Sequence, residues 1–145
     1  MSKYDPELIA SAANSDERGF LISYNTFDMD SIRRMYLIRP ASTRIVRAWQ
    51  AHRLENKWFY CTAGSFEVKL VAVSDFVNPA DDPITLTFNL EANSPHILHI
   101  PGGYANGFRA TAANSNLLVF SNNTLAESKS DDFRYAADKW NLWEK

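Results

Sequence analysis

Two short stretches of the chain gather the residue types that proton chemistry beside a carbonyl requires. Arg47-Ala48-Trp49-Gln50-Ala51-His52, with Lys57 soon after it, offers a guanidinium, a carboxamide, an imidazole and an ammonium. An extended chain turns alternate side chains to opposite faces, so Gln50 and His52 share a face. Pro101-Gly102-Gly103-Tyr104-Ala105-Asn106 ends on a second carboxamide. Imidazole can take up a proton near neutral pH, whereas an ammonium or an amide N–H can stabilise a developing oxyanion. Tyr36 and Tyr104 add phenols, and the fork of Arg47 suits a phosphate. By strand parity Arg47 faces away from Gln50 unless a bulge intervenes.

The segments that must position these groups read as β. Stretches rich in β-branched and aromatic residues, punctuated by Gly, Pro, Asn and Asp, recur from Gly19 to about Phe120. The approximate segments are Phe20–Phe27, Ile32–Ile38, Arg44–Arg53, Lys57–Ala63, Ser65–Val73, Thr85–Leu90, His96–Ile100, Gly107–Ala110 and Asn116–Ser121, for a domain of seven or eight strands. Ala63-Gly64-Ser65 is a tight turn that predicts a hairpin over 57–73. Val77-Asn78-Pro79-Ala80-Asp81-Asp82-Pro83 predicts a surface loop. After Asn123 the pattern favours helix or irregular chain, packed on the outside of a barrel.

The 145 residues, 46% hydrophobic and 22% charged, suit a single domain that buries a core without staples. Cys61, the sole cysteine, has no partner within the chain, and a buried thiol is expected of it. The start, Met1-Ser2-Lys3-Tyr4-Asp5-Pro6, has none of the basic and apolar character of a secretory signal, and no apolar run reaches the ~20 residues of a membrane span. A soluble cytoplasmic protein is expected. A formal net charge of -2 points away from nucleic acid and toward a small-molecule partner.

The two stretches are spaced like the two sequence blocks of the cupins, in which His-x-His with a later Glu, and then Pro-x-Gly-x-x-His, hold a metal. Counted against Gly64, Gln50 stands at the first histidine, His52 at the second and Lys57 at the glutamate, while Asn106 replaces the last histidine. An ammonium at the centre of such a site repels a divalent cation, so neither a metal nor another cofactor is expected. Within the cupins the chain resembles the enzymes acting on dTDP-4-keto-6-deoxy sugars, the 3,5-epimerases of the dTDP-rhamnose route and the 3,4-ketoisomerases. Asp16-Glu17-Arg18-Gly19, Arg34-Met35-Tyr36, Arg47-Ala48-Trp49-Gln50-Ala51-His52, Lys57 and Ile100-Pro101-Gly102-Gly103-Tyr104-Ala105-Asn106-Gly107-Phe108 carry the resemblance over most of the chain.

The resemblance implies a single all-β cupin (jelly-roll) domain, its barrel over about 16–123 and a short helical or irregular tail over about 124–145. It implies a homodimer, and an epimerase or ketoisomerase acting on a dTDP-linked keto-sugar for surface polysaccharide synthesis. Gln50 stands where that family has its principal base and cannot take up a proton. His52 is therefore expected as base, Lys57 as oxyanion stabiliser, and Tyr36 or Tyr104 as acid. Gln50 and Asn106 are expected to donate to sugar oxygens, Arg47 to hold a phosphate with Arg18, Arg39 and Arg53 as weaker candidates, and Trp49 to stack on the ligand. Each has a structural alternative: a satisfied histidine, a lysine snorkelling over Trp58 and Phe59, core aromatics. The loss of the base at Gln50 equally suits a cupin that binds a nucleotide sugar or saccharide without turning it over.

Overall fold

The computed structural model describes residues 5–143. Twelve strands and two short helices follow one another as β1 (Glu7–Ala10), β2 (Ala12–Asp16), β3 (Gly19–Ser23), β4 (Arg34–Ile38), β5 (Val46–His52), β6 (Lys57–Ala63), β7 (Ser65–Ala72), β8 (Thr85–Glu91), β9 (His96–Ile100), β10 (Tyr104–Ala110), β11 (Asn116–Ser121), α1 (Leu125–Lys129), β12 (Phe133–Arg134) and a 3-10 turn over Lys139–Asn141. Two five-stranded antiparallel sheets, ordered β1-β9-β6-β11-β4 and β12-β5-β10-β7-β8, face each other as a jelly-roll sandwich, and β2 and β3 form a separate ribbon. Among the described residues no helix is long and apolar enough to cross a membrane.

Alternation along the strands builds the core. Phe59 and Cys61 of β6, Phe66, Val68 and Leu70 of β7, Phe108 of β10, and Leu117 and Val119 of β11 interdigitate between the sheets, each at most 5% exposed. The Cys61 thiol is buried there, as expected. A second cluster lies outside the β5-containing sheet, where Trp49, Ala51, Val71 and Ala105 are covered by Tyr135, Trp140 and Trp143 of the tail.

Three expectations about the elements are corrected. β6 and β7 do not pair as a hairpin: β6 lies between β9 and β11, whereas β7 lies between β10 and β8. The chain has a single residue, Gly64, between them, and it carries the chain from one sheet to the other. Gly64 has φ +70, and a Cβ there would collide with the Ser115 side chain. Gly64→Ala is therefore expected to cost about 2 kcal/mol or more and to lower Tm by at least about 4 °C in a thermal melt; an unchanged Tm would contradict this reading of the corner. Second, sheet strands occur outside the expected barrel limits, β1 before residue 16 and β12 after 123. Third, β10 starts at Tyr104 rather than Gly107, so the Pro101-Gly102-Gly103 bend leads directly into a strand. The tail does pack outside the sandwich as expected, but β12 also extends the sheet, pairing Phe133 with Ala51 and Arg134 with Gln50.

Candidate active site

A β-bulge decides which side chains of β5 face the interior. Asn106 of β10 lies opposite Gln50, but Gly107 lies opposite Ala48, which leaves Trp49 as the extra residue. Ala48 and Trp49 consequently both face outward, toward the position a Cβ on Gly107 would occupy and toward Trp143. Arg47 then regains the inner face, opposite Phe108. The bulge thus brings Arg47 and Gln50, three residues apart, into the same cavity.

That cavity, about 390 Å³, lies between the sheets against Tyr36 of β4, Arg47 and Gln50 of β5, Lys57 of β6, Asn106 of β10, and Arg134 and Tyr135 of the tail. A second cavity, about 420 Å³, shares Tyr36, Gln50, Lys57 and Arg134 and runs along α1 past Lys129 to Asp132. A polar relay links them. The Lys57 Nζ donates to Gln50 Oε1 at 3.0 Å, Gln50 Nε2 donates to Asp132 Oδ1 at 3.1 Å, and Arg134 Nε donates to the same oxygen at 2.9 Å. Asn106 Nδ2 donates to the Gln50 carbonyl at 3.1 Å.

Lys57 is 3% exposed. Burial pulls its ammonium down from the usual 10.5 to about 8, against the opposing pull of the Glu55 carboxylate. Burial likewise pushes the Tyr36 phenol up, more than the nearby Arg34 cation lowers it. Burial raises the Asp132 carboxyl, but hydrogen bonds from Arg134 and Gln50 outweigh it and hold the group below its usual value. Behind Lys57, Glu55 is buried, accepting from Ser121 Oγ at 2.7 Å and from Arg34 at 3.3 Å.

His52 lies on Gln50's side of β5, as the period of two predicts, yet it lines neither cavity. Its Nδ1 lies 2.6 Å from the Asp131 carbonyl, which can only accept, so Nδ1 carries the proton. Burial, and then the Lys57 charge, hold its imidazole below the usual value, and Nε2 is buried without a partner. The expectation of His52 as a base within the cavity is therefore corrected: its Nδ1 is taken up by the tail's Asp131 carbonyl, and its side chain lines neither cavity. Tyr104 also lines neither cavity and packs against the core. Trp49 borders the cavity, but its ring is buried between Trp140 (5.3 Å) and Trp143 (5.7 Å) and offers no face for stacking. Arg18 stands on the β2–β3 ribbon, its side chain 84% exposed and paired with Asp16 at 2.6 Å, away from both cavities. Tyr36, Arg47, Gln50, Lys57 and Asn106 are brought together as expected.

The tail residues Asp132, Arg134 and Tyr135 were not anticipated. The alternation in Phe133-Arg134-Tyr135 is a strand signal, but a two-residue strand is too short to be told from irregular chain. A cupin-type metal does not fit these side chains. Lys57 stands at the glutamate position, Gln50 and Asn106 replace two imidazoles, and the Nδ1 of His52 is engaged. Among the described residues no three His, Cys, Asp or Glu side chains form a metal-binding group.

No family profile matches the chain, and neither does any curated protein. Solved structures do match. A dTDP-4-dehydrorhamnose 3,5-epimerase from Bacillus anthracis, with TDP and PPi bound, superimposes with TM-score 0.78 at 14% identity, over 95% of this chain and 83% of that one. The rmlC epimerase of Mycobacterium tuberculosis gives TM-score 0.76 at 16% identity over 94% and 72%. A mutant 3,4-ketoisomerase from Thermoanaerobacterium thermosaccharolyticum, in complex with TDP-4-keto-6-deoxyglucose, gives 0.70 at 21% over 92% and 90%. The chain has the cupin fold of the dTDP-sugar epimerases and ketoisomerases.

Proposed function

We propose that this chain is a nucleotide-sugar isomerase that enolises a dTDP-linked 4-keto-6-deoxyhexose without a metal, as a 3,5-epimerase or a 3,4-ketoisomerase in deoxysugar synthesis for a surface polysaccharide. The observation that carries the reading is the relay Asp132–Gln50–Lys57, which ends on a buried lysine where the two cavities meet. Its support is that the similar structures include complexes with TDP and with a TDP-keto-sugar. The lysine faces the ketone, where charge develops as the neighbouring C–H is broken. Tyr36 returns the proton as acid, and Arg47 and Arg134, which line the cavity, hold a diphosphate. Asp132, among the described residues the one carboxylate lining either cavity, takes the carbon-bound proton in place of His52. A homodimer is part of the proposal, supported by the β2–β3 ribbon, on which Phe20 and Leu21 are 75% and 62% exposed.

Incubation with dTDP-4-keto-6-deoxyglucose in deuterated water tests this. Deuterium in the sugar ring and a new sugar are expected, and the absence of both would remove the enzymatic reading. Binding without exchange would instead establish the second reading, a non-catalytic nucleotide-sugar module, which Gln50 at the base position favours. Gln50→His places an imidazole within reach of the Asp132 carboxylate and is expected to raise the exchange rate about 10²-fold. No gain in a folded variant would show that position 50 does not face the reacting carbon.

A further inference from the structure

We propose that Lys57 captures the ketone covalently, as an imine, at the junction of the two cavities, an inference that rests on reading them as a keto-sugar site. A lysine kept as a fixed cation ordinarily pairs with a carboxylate or carries its head to solvent. Lys57 does neither. It is 3% exposed, and among the described residues no carboxylate oxygen lies within ion-pair distance of its Nζ. Its hydrogen bond goes to the neutral oxygen of Gln50, which accepts from an amine as well as from an ammonium. Strand β6 fixes its backbone between β9 and β11, and its side chain lines both cavities.

Burial adds a lone pair to this geometry: with its ammonium lowered to about 8, Lys57 is an amine in a large share of molecules at mildly alkaline pH. The Nζ lone pair attacks the carbonyl carbon as one amine hydrogen passes to the oxygen, and the carbinolamine then loses its hydroxyl together with the second amine hydrogen as water, leaving a C=N bond that hydrolysis reverses. Protonated, the imine withdraws electrons from the adjacent C–H more strongly than the ketone does. That offsets the chain's lack of a cavity imidazole, because Asp132, held by Arg134 and Gln50, is a weak base.

The test is trapping with sodium cyanoborohydride at pH 8, using dTDP-4-keto-6-deoxyglucose in one series and dihydroxyacetone in another, read by intact mass and peptide mapping. Labelling of Lys57 at least tenfold faster than any other lysine is expected, with loss of that label in Lys57→Arg, whose fold is checked by circular dichroism. Labelling by dihydroxyacetone but not by the nucleotide sugar would uphold the reactive amine and overturn the keto-sugar reading. Isotope exchange into the nucleotide sugar with no label at Lys57 would leave the proposed function standing and overturn the imine. No preferential label from either probe would also overturn it.

Discussion

Lys57→Met is expected to lower kcat/KM for a dTDP-4-keto-6-deoxyhexose about 10³-fold while leaving the protein at least as stable at pH 7. The loss in rate follows from removing the group that meets the carbonyl, an effect of the size seen when a preorganised stabilising donor is deleted. The stability result follows from linkage. The folded-state value of about 8 lies below the usual 10.5, so at pH 7 burial of the ammonium costs up to about 3 kcal/mol, which methionine avoids. In the native lysine protein the unfolded chain binds more protons between pH 8 and 10.5, so stability rises with pH across that window and is flat below it. Activity supplies a second sign. If the amine attacks, kcat/KM rises with pH to a plateau above about 8; a lysine needed only as a cation would make it fall there. A variant that retains activity, or one whose Tm drops by several degrees, would contradict a functional lysine held at a cost to stability.

Asp131→Ala is expected to destabilise the fold by about 3–4 kcal/mol and to lower Tm by about 10 °C, with activity falling in the same variant. The Asp131 carboxylate accepts three successive backbone N–H groups from the turn after β5, Arg53 at 2.7 Å, Leu54 at 2.8 Å and Glu55 at 2.9 Å. Its own carbonyl meets His52. Removing the carboxylate leaves three donors to be re-solvated and unfastens the tail, whose next residues carry Asp132, Arg134 and Tyr135 into the site. Differential scanning calorimetry beside a steady-state assay checks both halves. A Tm change below about 2 °C would mean that the tail is held mainly by the tryptophan cluster around Trp49.

These two residues show how unevenly the site could be read in advance. Lys57 was legible because it follows a recognisable strand segment and stands in a sequence block of known spacing. Asp131 was not, since its partners lie more than seventy residues back along the chain and a charged run such as Glu127–Arg134 resembles a solvated face. His52 illustrates the opposite error. Local periodicity placed it correctly on β5, but nothing local could reveal that Asp131 would cover it.

Composition and alternation by themselves determined an all-β domain, most of its strand segments, the tight turn at Gly64 and the surface loop over 77–83, while cupin-like spacing singled out the stretches whose Gln50, Lys57 and Asn106 meet in the cavity. Strand identity is a short-range property, set by which residues can present one apolar face. Only the tertiary structure decided which strands pair, and so that Gly64 crosses between sheets instead of closing a hairpin. It alone placed the bulge at Trp49, which turned Arg47 inward, and the tail segment, which brought Asp132 and Arg134 to the cavity that Lys57 lines. Pairing partners, bulges and coverage depend on contacts between residues distant in sequence, whose free energy no local pattern encodes.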